Sequence, residues 1–177
     1  MKKTKALTLS ICAAGAALHI ILEMFVTIRI GNDLKITLAA LPFIIIALMY
    51  GPLEGFACGL AGTFLSQLLT FGLTVTTPLW IIPYAVQGLL CGLIYRTGFK
   101  RQLRLVSIGV SVFVSGLASV ILTWIASYVD GVLVFKYLIV EALIAIIPVR
   151  LLVWIGISLI YTFVSFGVLR ALKKNTI

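Results

Sequence analysis

Six long apolar blocks, separated by short turn or charge signals, constrain the fold of this chain more than any other feature. The blocks cover residues 6–25, 36–50, 55–72, 80–95, 106–128 and 148–172. A hydrocarbon core about 30 Å thick requires roughly 20 apolar residues for each helical span. Because 62% of the residues are apolar and only 11% are charged, the chain has too little polar surface for a water-soluble domain. We predict a single all-α membrane domain over residues 1–177, a bundle of six transmembrane helices.

The basic residues predict the orientation of these spans. If the N-terminus is cytoplasmic, one side of the membrane collects ten Lys and Arg residues and the other side four. Short cytoplasmic loops carry the excess of positive charge, so both termini are expected inside (N-in/C-in). The net charge of +9 does not indicate a nucleic-acid partner, because the basic residues cluster between apolar blocks instead of alternating with aromatic residues.

The segment between the fifth and sixth spans is apolar but contains Lys136 and Glu141. A continuous helix over residues 137–172 would be far longer than the bilayer is thick. We expect Pro148 to break it. The sequence thus predicts a short helix or re-entrant segment on the outer side that covers the bundle.

Polar and aromatic side chains gather in the outer halves of the third to sixth spans. Trp80, Tyr84 and Gln87 share one helical face by their i, i+4, i+7 spacing, and Arg150 and Trp154 share another. An ordinary aromatic belt would appear at both interfaces and would not include glutamines. The pattern therefore favours an outward-facing cavity. Its candidate substrate-binding residues are Gln67, Trp80, Tyr84, Gln87, Trp124, Tyr128, Arg150 and Trp154.

Arg150 requires an anionic partner, because an arginine inside a span costs about 2.5 to 3.5 kcal/mol on insertion scales. Glu141 or Glu23 would form a structural ion pair with it, whereas a substrate carboxylate would make it a binding residue; the sequence leaves both open. His19 shares a helical face with Glu23, and a lone histidine is most often a hydrogen-bonded packing residue. Without a second histidine or a set of carboxylates, we predict no metal, no other cofactor and no catalytic group.

Ala13 and Ala17 in the first span form a small-xxx-small surface. Such a surface lets another helix approach closely in a membrane, where lipid gives no hydrophobic driving force. The other helix can belong to the same bundle or to a partner protein.

About the first 100 residues resemble a known family, and the C-terminal third resembles it only in its pattern of spans. The block KITLAALPFIIIALMYGPLEGFACGLAGTFLSQLL, followed by a polar loop and PLWIIPYAVQGLLCGLIY, resembles the S components of energy-coupling factor (ECF) vitamin transporters, most closely the folate type. In that family the second span likewise reaches a G-P turn, the third is glycine-rich, and the fourth ends in a G-L-I-Y-like stretch. The chain departs from the folate type at Ser66 and Gln67, where an acidic residue is frequent.

The resemblance implies a substrate-binding subunit in the bacterial plasma membrane. Such a subunit captures a water-soluble vitamin, with folate favoured here, and docks on a transmembrane coupling protein driven by two ATPases. The family's docking surface maps to Ala13 and Ala17. The chain contains no GxxxxGK[ST] motif, so ATP hydrolysis would belong to another chain.

Two other classes of function are weaker alternatives. A self-sufficient channel or secondary transporter would normally show a coupling carboxylate at mid-membrane or an internal repeat. A membrane enzyme would need paired carboxylates or a nucleophile with its base. The sequence shows none of these patterns.

Overall fold

A computed structural model describes residues 5–30, 34–100, 102–136 and 139–174. This part of the chain forms seven α-helices, a small β-hairpin and a π-helical turn. In chain order the elements are α1 (Lys5–Phe25), β1 (Ile28–Ile30), β2 (Leu34–Ile36), α2 (Leu41–Met49), α3 (Pro52–Phe71), α4 (Thr77–Thr97), α5 (Leu105–Tyr128), the π-helical turn (Val129–Val134), α6 (Val140–Ala145) and α7 (Ile147–Lys174).

Within the described residues, four helical stretches are long and apolar enough to cross a membrane. They are Ala6–Phe25, Thr77–Thr97, Leu105–Val134 and Val140–Leu172. Helix α3 has 20 residues, but Pro52, Glu54 and Gln67 lower its mean hydropathy. These helices make the chain a multi-pass membrane protein; the number of six spans and the N-in/C-in orientation remain predictions.

The second predicted span is much shorter in the structure than its apolar block. Helix α2 has nine residues, about 14 Å at 1.5 Å per residue, which is less than half of the bilayer core. Phe43, Ile44 and Ala47 are at most 1% exposed, and α2 packs against α1, α3, α4 and α7. Its apolar character therefore reflects burial inside the bundle, since a helix that is hydrophobic all round is a buried one.

Helices α3 and α4 pack with their backbones in contact. A Cβ atom added at Gly59 would lie 2.8 Å from the carbonyl oxygen of Tyr84, and one added at Gly92 would lie 2.7 Å from Cα of Pro52. Only glycine permits this approach without moving the backbone. The tight packing fixes which face of α4 points into the bundle.

Hydroxyl side chains fill much of the buried surface of α5 and α7. They are Ser107, Ser111, Ser115 and Ser119 on α5 and Ser158, Thr162 and Ser165 on α7. Ser111 donates to the Ser107 carbonyl at 2.8 Å and Thr162 to the Ser158 carbonyl at 2.7 Å. Bonding back to their own helix satisfies the hydroxyls of Ser111, Ser115 and Thr162 without a partner helix, so α5 and α7 can pack closely there.

The connection from α5 to α7 contains the predicted short segment. Helix α5 continues into the π-helical turn, and α6 has only six residues. Residues 137–138 of this segment lie outside the described residues. Pro148 lies in the first turn of α7, where its missing N–H costs no hydrogen bond, so the predicted break falls at this helix start.

The β-hairpin was not expected from the sequence. Strands β1 and β2 are antiparallel with Ile28 opposite Ile36 and Ile30 opposite Leu34. Each strand has only three residues, too few for a clear alternating pattern. The hairpin places the residues that follow β2 at the end of the bundle where α4 and α7 begin.

Candidate functional site

A cavity of about 620 Å³ lies at one end of the bundle. Its wall consists of the hairpin, the last turns of α3, the first half of α4, the middle of α5, the π-helical turn and the first half of α7. This volume falls within the usual range for small-molecule sites, roughly 300 to 1,000 Å³. The basic residues Lys100 and Arg104, between α4 and α5, lie at the opposite end of these helices.

Six of the eight residues predicted to bind substrate line this cavity. They are Gln67, Trp80, Tyr84, Gln87, Arg150 and Trp154. The helical spacing on α4 and α7 therefore brings these side chains together at one cavity; their contact with a substrate stays a prediction.

Trp124 and Tyr128 do not line the main cavity. Their rings stack on each other with centroids 6.3 Å apart, and Trp124 borders a smaller pocket of about 160 Å³ beside Arg150. On α5 the cavity face carries Ser119 and Thr123. Trp124 follows Thr123 directly and is therefore rotated by about 100° around the helix, away from the cavity.

The wall also contains charged and hydrogen-bonding residues that were not predicted from the sequence as a binding group. Among them are Lys35, Thr37, Asp130 and Tyr161. The Tyr161 hydroxyl donates to the Thr37 carbonyl at 2.6 Å, which joins α7 to the segment after the hairpin. This contact links residues 124 positions apart, and no short-range spacing in the sequence predicts it.

Lys35 forms an ion pair with Glu23 at the end of α1. Its ammonium nitrogen lies 5.6 Å from the centroid of the Tyr84 ring, within reach of a cation–π interaction. Burial alone would lower the pKa of Lys35, but its interactions with Tyr84 and with the Glu23 carboxylate outweigh burial, so the pKa is raised. Lys35 is therefore protonated at neutral pH.

Arg150 contributes a second positive charge to the wall. Its Nη2 donates to Oγ of Ser127 at 3.2 Å, and Asp130 is a lining residue of the same cavity. Of the two carboxylates considered as its structural partners, Glu23 is engaged by Lys35, and Glu141 lies exposed on α6.

The indole N–H of Trp154 is buried against α5 beside the cavity. Its Nε1 is buried and has no hydrogen-bond partner within the described residues. The indole packs on the Phe113 ring with centroids 4.0 Å apart. Because this N–H is closed off from the cavity, Trp154 contributes ring surface to the wall.

His19 is a packing residue with a fixed hydrogen bond. It is 1% exposed, and its Nδ1 lies 2.6 Å from the Ala39 carbonyl, to which it donates. The imidazole also contacts the rings of Phe43 and Tyr84. Among the described residues, no three His, Cys, Asp or Glu side chains are grouped so that they could hold a metal ion.

Ala13 and Ala17 lie on the outward face of α1. Both are exposed, whereas Ala16, His19 and Glu23 on the other face are buried. The small-residue surface therefore does not serve packing inside this bundle.

The fold and the cavity define a class: a helical, multi-pass membrane protein with a ligand-sized cavity at one end. The family model of the ECF-type riboflavin transporter S component matches residues 3–172. The chain belongs to this family. A solved structure of the S component of a bacterial ECF transporter shares the fold, with a TM-score of 0.69 over 96% of this chain and 99% of that chain at 17% sequence identity.

Two curated relatives match part of the chain. The UPF0397 protein of Lactobacillus johnsonii is 38% identical over 80 residues, which cover 45% of this chain and 42% of that protein. The UPF0397 protein of Lactobacillus gasseri is 35% identical over 97 residues, 52% of this chain and 51% of that protein. The matched part of the chain thus spans about half the length of these relatives.

These comparisons confirm the predicted S-component family and leave its folate type unconfirmed. The matching family model bears the name of riboflavin. Family membership supports the role of a substrate-specific subunit of an ECF-type importer. The family and the fold are those of transporter subunits and not of enzymes.

Proposed function

We propose that this protein captures a flat, heteroaromatic, water-soluble vitamin in the cavity and delivers it to an ATP-driven ECF module. The observation that carries the proposal is the composition of the cavity wall. Trp80, Tyr84 and Trp154 supply ring surfaces, and Gln67 and Gln87 supply paired donors and acceptors. Rings that bind a flat ligand together with a few placed polar groups are typical of small-molecule sites.

We favour a flavin over folate as the substrate. The side chains that set the charge around the cavity are Lys35 and Arg150 on the positive side and Asp130 and Glu23 on the negative side. This balance suits a ligand without net charge, such as riboflavin, better than folate with its two carboxylates. The family name points the same way, whereas the resemblance to the folate type in the first hundred residues favours folate.

We propose that the outward face of α1 docks on the transmembrane coupling protein, which works with two ATPases. Ala13 and Ala17 are exposed there, and small side chains allow the backbone of a partner helix to approach closely. In this arrangement the cavity end of the bundle is outside, both termini are cytoplasmic, and α2 is the short, buried second member of six membrane helices.

The orientation has its own test. Lys100 and Lys136 are both exposed, at opposite ends of the bundle. In a background without the native cysteines, Lys136→Cys should react with an impermeant thiol reagent added to intact cells, and Lys100→Cys should not. Labelling of Lys100→Cys would refute the proposed orientation.

Mass spectrometry of the ligand that co-purifies with the protein tests the function. The protein should be purified without nucleotide, and riboflavin is the expected ligand. Recovery of folate would support the importer role and show that folate, and not riboflavin, is the substrate. A protein that retains no vitamin and binds neither riboflavin nor folate in solution would refute the proposal.

A further inference from the structure

The positive charge of Lys35 at the cavity wall is neutralised by its ion pair with Glu23. Lys35 lines the cavity, and its side chain is 30% exposed. Glu23 lies behind it on α1 and is 7% exposed. The cavity therefore meets the ammonium group, while the carboxylate that balances it is out of reach of a ligand.

A network of hydrogen bonds holds Glu23 in this position. Oγ1 of Thr37 donates to Oε2 of Glu23 at 3.4 Å, and it accepts the hydroxyl of Thr27 at 2.8 Å and the Ala39 N–H at 3.0 Å. The backbone carbonyl of Thr37 accepts from Tyr161 at 2.6 Å. Burial and these hydrogen bonds keep the Glu23 carboxylate beside Lys35 and away from water. The positive charge of Lys35 therefore stays neutralised.

The cavity is small enough that the charge of Lys35 affects the affinity of any ligand bound in it. A sphere of 620 Å³ is about 11 Å across, so each group of a bound ligand lies within about 10 Å of the Lys35 ammonium. At an effective dielectric constant of about 20, an unbalanced unit charge about 8 Å away changes the binding of a phosphate more than tenfold. Glu23 cancels most of that attraction.

We propose that the Glu23–Lys35 pair is a specificity determinant that makes the cavity select the free vitamin over its phosphate ester. Lys35 still offers N–H donors to a carbonyl or hydroxyl of the ligand. A phosphate group, in contrast, loses its hydration in the cavity, and no unbalanced positive charge at this wall compensates for that loss. An uncharged ligand does not have this desolvation cost. This inference rests on the proposed function, because it assumes that the vitamin occupies this cavity.

Riboflavin and riboflavin 5′-phosphate are the matched probes, since they differ only in the phosphate. Wild-type protein should bind riboflavin at least about tenfold more tightly than the ester. Glu23→Gln should improve binding of the ester by about tenfold and leave riboflavin within about twofold. Lys35→Gln should change the ratio in the opposite direction, and the double variant should return it towards the wild-type value.

Glu54→Gln is the control, because it removes the same charge at the start of α3, at the end of the bundle opposite the cavity. It should leave the ratio unchanged. A Glu23→Gln protein that binds riboflavin normally but keeps the wild-type ratio would overturn the proposal. So would a double variant with the same ratio as Glu23→Gln, because the effect would then not come from the charge of Lys35.

A second readout separates this inference from the identity of the vitamin. At constant ionic strength, inorganic phosphate should raise the Tm of Glu23→Gln by about 2 to 4 °C, and it should not stabilise the wild type or the double variant. If no flavin binds but this stabilisation occurs, the proposed substrate fails and the inference stands. If phosphate leaves the Tm of Glu23→Gln unchanged, the inference fails even when riboflavin binds.

Discussion

The contact between Gly116 and Trp154 provides a sharp test of the cavity. A Cβ atom added at Gly116 would lie 2.8 Å from Nε1 of Trp154, 3.3 Å from its Cδ1 and 3.6 Å from Nε2 of Gln87. Atoms do not pack at 2.8 Å to a methyl carbon, so Gly116→Ala must displace the indole by roughly half an ångström or more. Trp154 cannot retreat towards Phe113, whose ring centroid is already 4.0 Å away.

Because Trp154 lines the cavity, displacing its indole changes the shape of the wall. Overpacking by one methyl group typically costs about 1 to 3 kcal/mol, and we expect a similar loss in ligand binding, about tenfold to a hundredfold. Binding should be followed by tryptophan quenching, and folding by thermal unfolding of the same samples. Because Gly156 on α7 has no atom within 4 Å of an added Cβ, Gly156→Ala is the matched control and should bind as the wild type does. Unchanged affinity in folded Gly116→Ala would refute the placement of the ligand beside Trp154.

Three further predictions concern residues that the sequence singled out. Arg150→Ala should weaken ligand binding by about 2 kcal/mol, the value of a hydrogen bond to a charged group, whereas Arg104→Ala at the other end of the bundle should not; equal affinities measured by calorimetry would remove Arg150 from the site. Replacing Ala13 and Ala17 together by leucine should abolish co-purification with the coupling protein and leave vitamin binding intact, and retained co-purification would contradict the docking face. Trp124→Leu should change affinity by less than about threefold, since this indole lies outside the main cavity; a loss above tenfold would show that the smaller pocket takes part.

The sequence predicted the cavity best where one helix carries several of its residues. The i, i+4, i+7 spacing of Trp80, Tyr84 and Gln87 depends only on helix geometry, and all three line the cavity. The same geometry explains the failure at Trp124 and Tyr128, because polar and aromatic residues occur on several faces of the outer half of α5 and only the face of Ser119 and Thr123 turns inward.

Long-range contacts account for what the sequence did not reveal. The place of Lys35 in the wall depends on a hairpin with three residues per strand, and its pairing with Glu23 depends on how α1 meets that hairpin. The length of α2 was overestimated because an apolar run has the same composition whether lipid or other helices surround it. The structure shows that Phe43 and Ile44 are buried by other helices, which the composition of the apolar run does not reveal.

Titration of the purified protein with riboflavin, without nucleotide, tests the central claim most directly when it is combined with a variant that fills the cavity. Thr123 lines the cavity on α5, so Thr123→Trp should place an indole in the ligand's space, and Gly156→Trp on α7 provides an equally bulky control. We expect saturable binding of one riboflavin per chain in the wild type and the control, and loss of this binding in folded Thr123→Trp. Binding of wild-type affinity in folded Thr123→Trp would show that the vitamin site lies elsewhere.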